Sequence, residues 1–177
     1  MTPRAVLVGL PGTGKTTSGR RLADRLRVPF ADSDDLIEQR AGRSVRAIFD
    51  QDGEEAFRAA EIEVISAALT AFDGVLALGG GAILAEPTRT ALAISGVPVV
   101  LLTADQTTLA ARVGRAQDRP LLAGDPVGRL AALAAERQPL YDGVATVVID
   151  TDRRSAKRVA ADIDEALTAL ARPTGRA

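Results

Sequence analysis

A three-layer α/β domain on a five-stranded parallel sheet is the fold the sequence predicts, and three observations carry that reading. Short apolar, β-branched runs alternate with helix-length amphipathic stretches, the pattern of parallel strands joined by helical crossovers. Three of those runs end abruptly, at Gly9 to Thr16, at Asp32-Ser33-Asp34 and at Gly79-Gly80-Gly81. The 177 residues, 46% hydrophobic and 25% charged, suffice for one domain with a real core. No repeat, low-complexity segment or linker marks a second domain. Residues 1–177 are therefore expected to form one unit, with a core over 4–170 and a frayed tail at 172–177.

Taken in order, Val6-Leu7-Val8 suits a buried first strand. The helix after it is expected from near Lys15 to about Arg27, with Leu22, Ala23 and Leu26 on one face. Val28 to Ala31 reads as the second strand. A helix from Leu36 to Arg40 stops at Gly42, and Ser44 caps a turn from Val45 to Phe49 that Asp52-Gly53 breaks. From Glu54 to Phe72 runs a long helix with Phe57, Ile62, Ile65 and Leu69 on one face. The third strand, Val75 to Leu78, and the fourth, Val97 to Leu102, flank a helix from about Thr88 to Ile94. A helix from Gln106 to Val113 leads into a polar segment at 114–124. Asp125-Pro126 opens another helix, to about Gln138. Thr146 to Ile149 is the fifth strand, and Ser155 to Leu170 the last helix.

Composition removes whole classes of chemistry. With no histidine and no cysteine, there is no Ser-His-Asp triad, no thiol nucleophile, no disulfide and no His- or Cys-ligated metal. Proton transfer then falls to carboxylates. A net charge of −1 and 3% aromatic residues offer neither the field nor the stacking platforms for nucleic acid. No run approaches the length of a membrane span, and the chain enters a strand almost at once, so neither membrane nor signal peptide is expected.

The most informative stretch is Gly9-Leu10-Pro11-Gly12-Thr13-Gly14-Lys15-Thr16, a full match to the phosphate-binding pattern G-x-x-x-x-G-K-[ST]. Its glycines let several N–H groups point into one hollow, and the following helix adds its positive end. Lys15 suits the β- and γ-phosphates of a nucleoside triphosphate, and the Thr16 hydroxyl suits Mg²⁺. Of the 22 Lys and Arg residues, only Lys15 and Lys157 are lysine. A compact ammonium thus stands where phosphates would gather.

In a parallel sheet, ligands collect at the strands' carboxyl ends, so the three abrupt endings are expected to converge. Asp32 and Asp34, two apart, project toward one region; one suits Mg²⁺ through water and the other a proton-accepting role toward an acceptor hydroxyl. The alternative is that Asp34 or Asp35 caps the next helix, the reading favoured for Asp35. Gly79-Gly80-Gly81 either admits a ligand closely, with N–H groups as donors, or is a flexible turn. Arg58 follows Phe57 near the start of the long helix and Arg137 precedes Pro139-Leu140-Tyr141. Each arginine taken singly reads as a solvated surface residue, while Arg112, Arg115 and Arg119 cluster around the segment 114–124, which is shaped like a lid.

With these residues in place, the chain resembles shikimate kinase of the actinobacterial type over about Arg4 to Leu170. The resemblance rests on GLPGTGKTT, DSD followed by IEQRAGRS, IFDQDGEEAFR, LGGGAI, DRPLLAG and RQPLYDGVA. It implies a P-loop kinase fold and transfer of the ATP γ-phosphoryl to the 3-hydroxyl of shikimate, a step toward chorismate and the aromatic amino acids. It implies that Thr16 and Asp32 hold one Mg²⁺ per subunit, that Lys15 touches the transferring phosphoryl, and that Asp34 binds shikimate and acts as base. Arg58, Gly80, Gly81 and Arg137 would hold the substrate, and Arg119 would stabilise the moving phosphoryl. Pro11, Gly12, Thr13, Gly14, Lys15, Thr16 and Thr17 would cradle the nucleotide, with Arg112 and the turn at Arg153-Arg154 near the adenine. Ser155-Ala156 departs from the proline usual in that turn. A cytoplasmic monomer is implied, with ATP and shikimate as its partners. The rival readings are a kinase of another polyol acid such as gluconate, a nucleoside monophosphate kinase, and a slow nucleotide-hydrolysing switch. No N-K-x-D stretch is present to read guanine.

Overall fold

The structure, a computed structural model, describes residues 1–113 and 126–172. Its elements are β1 (Ala5–Val8), α1 (Lys15–Leu26), β2 (Phe30–Asp32), α2 (Ser33–Ala41), α3 (Val45–Ala71), β3 (Val75–Ala77), a 3₁₀ turn (Ala82–Leu84), α4 (Glu86–Ser95), β4 (Val99–Thr103), α5 (Gln106–Val113), α6 (Pro126–Val144), β5 (Val147–Asp150) and α7 (Ala156–Ala171). The five strands form one parallel sheet in the order β2-β3-β1-β4-β5. This is the α/β fold the sequence predicts.

Side chains of period two split each strand between the layers. Val6, Val8, Leu76, Leu78, Val99 and Leu101 face α3, α4, α5 and α6, where Ile65, Leu69, Leu92, Leu109, Leu130 and Tyr141 close the core. Ala5, Leu7, Val75, Val100 and Leu102 face α1 and α7, against Leu22, Ala23, Val159, Ala160 and Ile163. A third, smaller cluster of Ile37, Ile48, Phe57 and Val64 joins α2 to α3, with the Phe49 and Phe57 rings 4.5 Å apart.

The differences from the expected boundaries have local causes. β2 starts at Phe30 because the Val28 N–H is spent on the Ala23 carbonyl at the end of α1 and Pro29 has no N–H. α2 starts at Ser33, earlier than expected, because the Asp32 carboxylate accepts the Asp34 N–H at 3.2 Å. The capping aspartate is thus Asp32, not Asp34 or Asp35. α6 runs through Pro139 to Val144, since the turn beyond the proline carries Tyr141, which is fully buried, and Leu140 and Val144, which pack on the same core.

The break expected at Gly53 is present: within the span α3 two helices meet at a kink, with Gly53 at φ 85° and ψ 174°. That conformation is essentially restricted to glycine. A Cβ there would meet nothing within 4 Å. Gly53→Ala should therefore lower the unfolding free energy by about 1–3 kcal/mol through backbone strain alone, as read from urea denaturation. An unchanged midpoint would show that this stretch of helix relaxes at no cost.

Candidate active site

Parallel pairing aligns the three strand endings. Leu7 and Asp32 both register with Ala77, so Gly9, Asp34 and Gly79 each lie two residues beyond a common row. The convergence expected from the sequence is therefore a consequence of register.

In the loop after β1, Gly12 and Gly14 have φ of 89° and 87°, a left-handed backbone that Cβ-bearing residues avoid. Gly14 caps α1, so the helix begins at Lys15 with its N–H groups facing the hollow. The Thr13 hydroxyl, fully buried, donates to the Leu10 carbonyl at 2.8 Å and fixes the turn from within. Lys15 Nζ donates to the Gly9 carbonyl at 2.8 Å and the Leu10 carbonyl at 3.1 Å. Thr16 Oγ1 donates to Asp32 Oδ2 at 2.9 Å. That places a hydroxyl and a carboxylate oxygen side by side, with the hydroxyl proton on the carboxylate and the hydroxyl lone pairs left over, an oxygen pair that fits a hard cation sharing phosphate and water ligands. Among the described residues no cluster of three or more acidic ligands offers a self-sufficient metal cage. Thr17 is exposed on α1.

Across from this loop, the turn Gly79-Gly80-Gly81 is surrounded by charged side chains. A Cβ on Gly79 would come within 2.8 Å of Asp34 Oδ1 and 3.1 Å of Glu61 Oε1. On Gly80 it would approach Pro11 Cδ to 3.1 Å, and on Gly81 Arg58 Nη2 to 2.7 Å. None of the three glycines has a positive φ, so they serve by leaving space. Of the turn's N–H groups, that of Gly79 donates to Ser33 Oγ at 2.9 Å. The Gly80 carbonyl accepts from both Arg137 Nη1 and Tyr141 Oη, each at 2.8 Å.

Two side chains here escaped sequence reasoning. Glu61 is fully buried and accepts from Arg58 Nη1 at 2.6 Å, while the exposed Glu54 holds Arg58 Nη2 at 3.4 Å. The signal lay in the spacing, since Arg58 and Glu61 are one helical turn apart. Tyr141 follows Arg137 by four residues on α6, which brings both onto one carbonyl. Burial pushes the Tyr141 hydroxyl up to about 12 against the pull of the Arg137 cation, so it stays a donor.

The nucleotide-side candidates divide. Arg112 donates to the Gly12 carbonyl and to Thr151, whereas Arg154 pairs with Asp162 of α7 at 2.8 Å. Ser155 caps α7 by accepting from the Arg158 N–H, the role its position allows in place of a proline. Arg119, Arg115 and the segment 114–124 lie outside the described residues, as does the tail from 173 onward.

Burial raises Glu61 above its ordinary 4.5; the Asp34 charge adds to this, and Arg58 and Arg137 oppose it. A carboxylic acid raised in the folded state carries no penalty below its unfolded value. The penalty grows as pH climbs from about 4.5 through the higher folded value. Glu61→Gln, with nothing to ionise, should gain stability relative to the parent over that climb. Thermal unfolding at matched ionic strength reads this, and a difference independent of pH would contradict it.

Comparison with known proteins agrees with this fold. The family model described as shikimate kinase matches residues 11–168. The chain is 51% identical over 167 residues to the shikimate kinase of Thermobifida fusca, covering 94% of this chain and 96% of the relative. It is 53% identical over 156 residues to that of Mycobacterium avium, covering 88% of each. Among solved structures, the shikimate kinase from Acinetobacter baumannii in complex with shikimate matches with a TM-score of 0.91 at 36% identity, over 98% of this chain and 96% of that one. By sequence and by fold, the chain belongs to the shikimate kinase family.

Proposed function

We propose that the cleft between the phosphate loop and the glycine turn carries out the family's reaction, moving the ATP γ-phosphoryl to the 3-hydroxyl of shikimate to give shikimate 3-phosphate and ADP. One observation supports the acceptor side above all. Arg137 is only 9% exposed, and its Nε is buried without a hydrogen-bond partner. A buried guanidinium left this way is costly, and a substrate carboxylate would relieve it with a charge-assisted hydrogen bond. Arg137 holds Gly80, and Arg58 packs on the adjacent Gly81, so one anion could meet both cations.

In this reading Asp34, packed against Gly79, orients shikimate and accepts the proton of the 3-hydroxyl. Lys15 and the loop from Pro11 to Thr17 receive the phosphates, with Arg112 and Arg154 on the nucleotide side. Thr16 and Asp32 would hold one Mg²⁺ per subunit, which when bound neutralises phosphate charge. Arg119 would supply a further cation to the transferring phosphoryl. Glu61 keeps the Arg58 guanidinium aimed at the turn. Little covalent work is left to the protein, and the rate enhancement comes from positioning and fixed charge. The enzyme is taken to be a cytoplasmic monomer acting on two small molecules; no helix among the described residues is long and apolar enough to cross a membrane.

A coupled ADP-release assay with shikimate, gluconate, nucleoside monophosphates or no acceptor tests the reading directly. ADP release should depend on shikimate, and a rate indifferent to it would overturn the proposal. Asp34→Asn should lower turnover on the order of 10²-fold or more, the range for a positioned base, with ADP affinity nearly intact. Arg58→Ala and Arg137→Ala should raise the KM for shikimate well beyond any change in the KM for ATP. The opposite pattern would put the acceptor elsewhere.

A further inference from the structure

Arg112, on the last turn of α5, has its donor edge committed to the protein. Nη1 donates to the Gly12 carbonyl at 3.2 Å and to Thr151 Oγ1 at 3.0 Å, and Nη2 donates to the Thr151 carbonyl at 2.9 Å. Thr151 is itself an anchor. It is fully buried, and both its N–H and its hydroxyl donate to the Thr103 carbonyl at the end of β4, at 2.9 and 3.0 Å. Gly12 meets the same helix by packing: a Cβ there would lie 2.9 Å from Val113 Cγ2 and 3.2 Å from the Leu109 carbonyl. The phosphate loop is thus docked on α5 by a contact and a hydrogen bond, and α5 is tied to the end of the sheet.

The consequence follows from peptide geometry. A planar trans peptide points its C=O and N–H in opposite directions. With the Gly12 carbonyl drawn toward Arg112, the Thr13 N–H faces the other way and meets the Leu10 carbonyl at 3.3 Å. Without that pull, the Gly12–Thr13 peptide keeps only its ties to Leu10 on the far side, and Gly12, which tolerates either sign of φ, lets the loop leave the shape in which its remaining N–H groups surround an anion.

We propose that Arg112 is a positioning residue of the phosphate loop: acting through the Gly12 carbonyl and braced on Thr151, it holds the loop in its anion-binding shape whatever base the nucleotide carries. This rests on the reading that the loop receives the phosphates of ATP. It differs from a contact with the adenine, for which only the faces of the guanidinium are left.

The discriminating probe is inorganic tripolyphosphate, which has phosphates and no base. Calorimetry would measure its binding and that of ADP, each with Mg²⁺, to the parent, Arg112→Gln, Arg112→Lys, Thr151→Val and the Gln/Val double variant, alongside the KM for shikimate. Loss of charge-assisted hydrogen bonds to a loop that must be ordered predicts about tenfold weaker binding in Arg112→Gln, by the same factor for both ligands. Lysine, a point charge that cannot span Gly12 and Thr151 together, should not restore it. Thr151→Val should weaken both ligands less, and the double variant should be no worse than Arg112→Gln alone, because Thr151 acts through Arg112. The KM for shikimate should stay within twofold or so, well below the effect expected for a charged hydrogen bond. A loss confined to ADP would make Arg112 a base contact and overturn the inference. A proportional loss of shikimate affinity would overturn it as general damage. Failure of the parent itself to bind ADP and tripolyphosphate would instead remove the underlying reading of the loop.

Discussion

Everything at this site depends on the register of three parallel strands. β3 pairs with β1 on one side and β2 on the other, and Ala77 is level with both Leu7 and Asp32. Parallel ladders do not permit the strands to slip singly without turning every side chain to the wrong layer. The core residues of the two faces therefore lock the row, and the row fixes where the chain leaves the sheet. Two residues on, Gly9 opens the phosphate loop, Asp34 is on the first turn of α2, and Gly79 opens the glycine turn. The hydrophobic pattern that folds the sheet thus also assembles the chemistry.

The two glycine-rich segments solve different problems. The loop after β1 needs backbone angles that place N–H groups around an anion, and its glycines supply positive φ. The turn after β3 needs none; it needs room. Its missing side chains leave space for Asp34, Glu61 and Arg58 to come within van der Waals range of the main chain. That crowding is electrostatically organised. Burial raises Glu61 first and the Asp34 charge adds to it, while Arg58 and Arg137 pull the other way. Removing a whole charge from such a set costs more than removing a pair, because the remaining partner stays buried.

Much of this was legible in the sequence, and what was not has a physical reason. The fold class and the convergence of Asp34 with the glycine turn follow from periodicity and from where ligands gather in parallel sheets, and the joint placing of Thr16 and Asp32 was implied by the family resemblance. Glu61 was hidden because a glutamate on a long helix reads as a solvated one; its burial depends on β3 and the glycine turn arriving over it. Tyr141 was hidden because Pro139 signals the end of a helix. Tertiary packing overrode that signal: α6 continues, and its next turn carries the tyrosine into the core. Gly53 shows the opposite case: the break read from Asp52-Gly53 is where two helices meet at a non-helical glycine.

The halves of the cleft are joined at the loop itself. Pro11 packs against Gly80, whose carbonyl Arg137 and Tyr141 hold from α6, and the next residue, Gly12, is held by Arg112 from α5. Successive residues of the loop are therefore tied to the acceptor-side helix and to the helix that leads into the segment 114–124. The two ties are separate: a change at Gly12 acts on the phosphate hollow, while the acceptor side keeps its own hold through Pro11 and Gly80. In-line phosphoryl transfer demands that donor and acceptor be fixed relative to each other to within fractions of an ångström. Anchoring neighbouring loop residues to the two flanking helices, each by its own contact, meets that demand with a minimum of intervening structure.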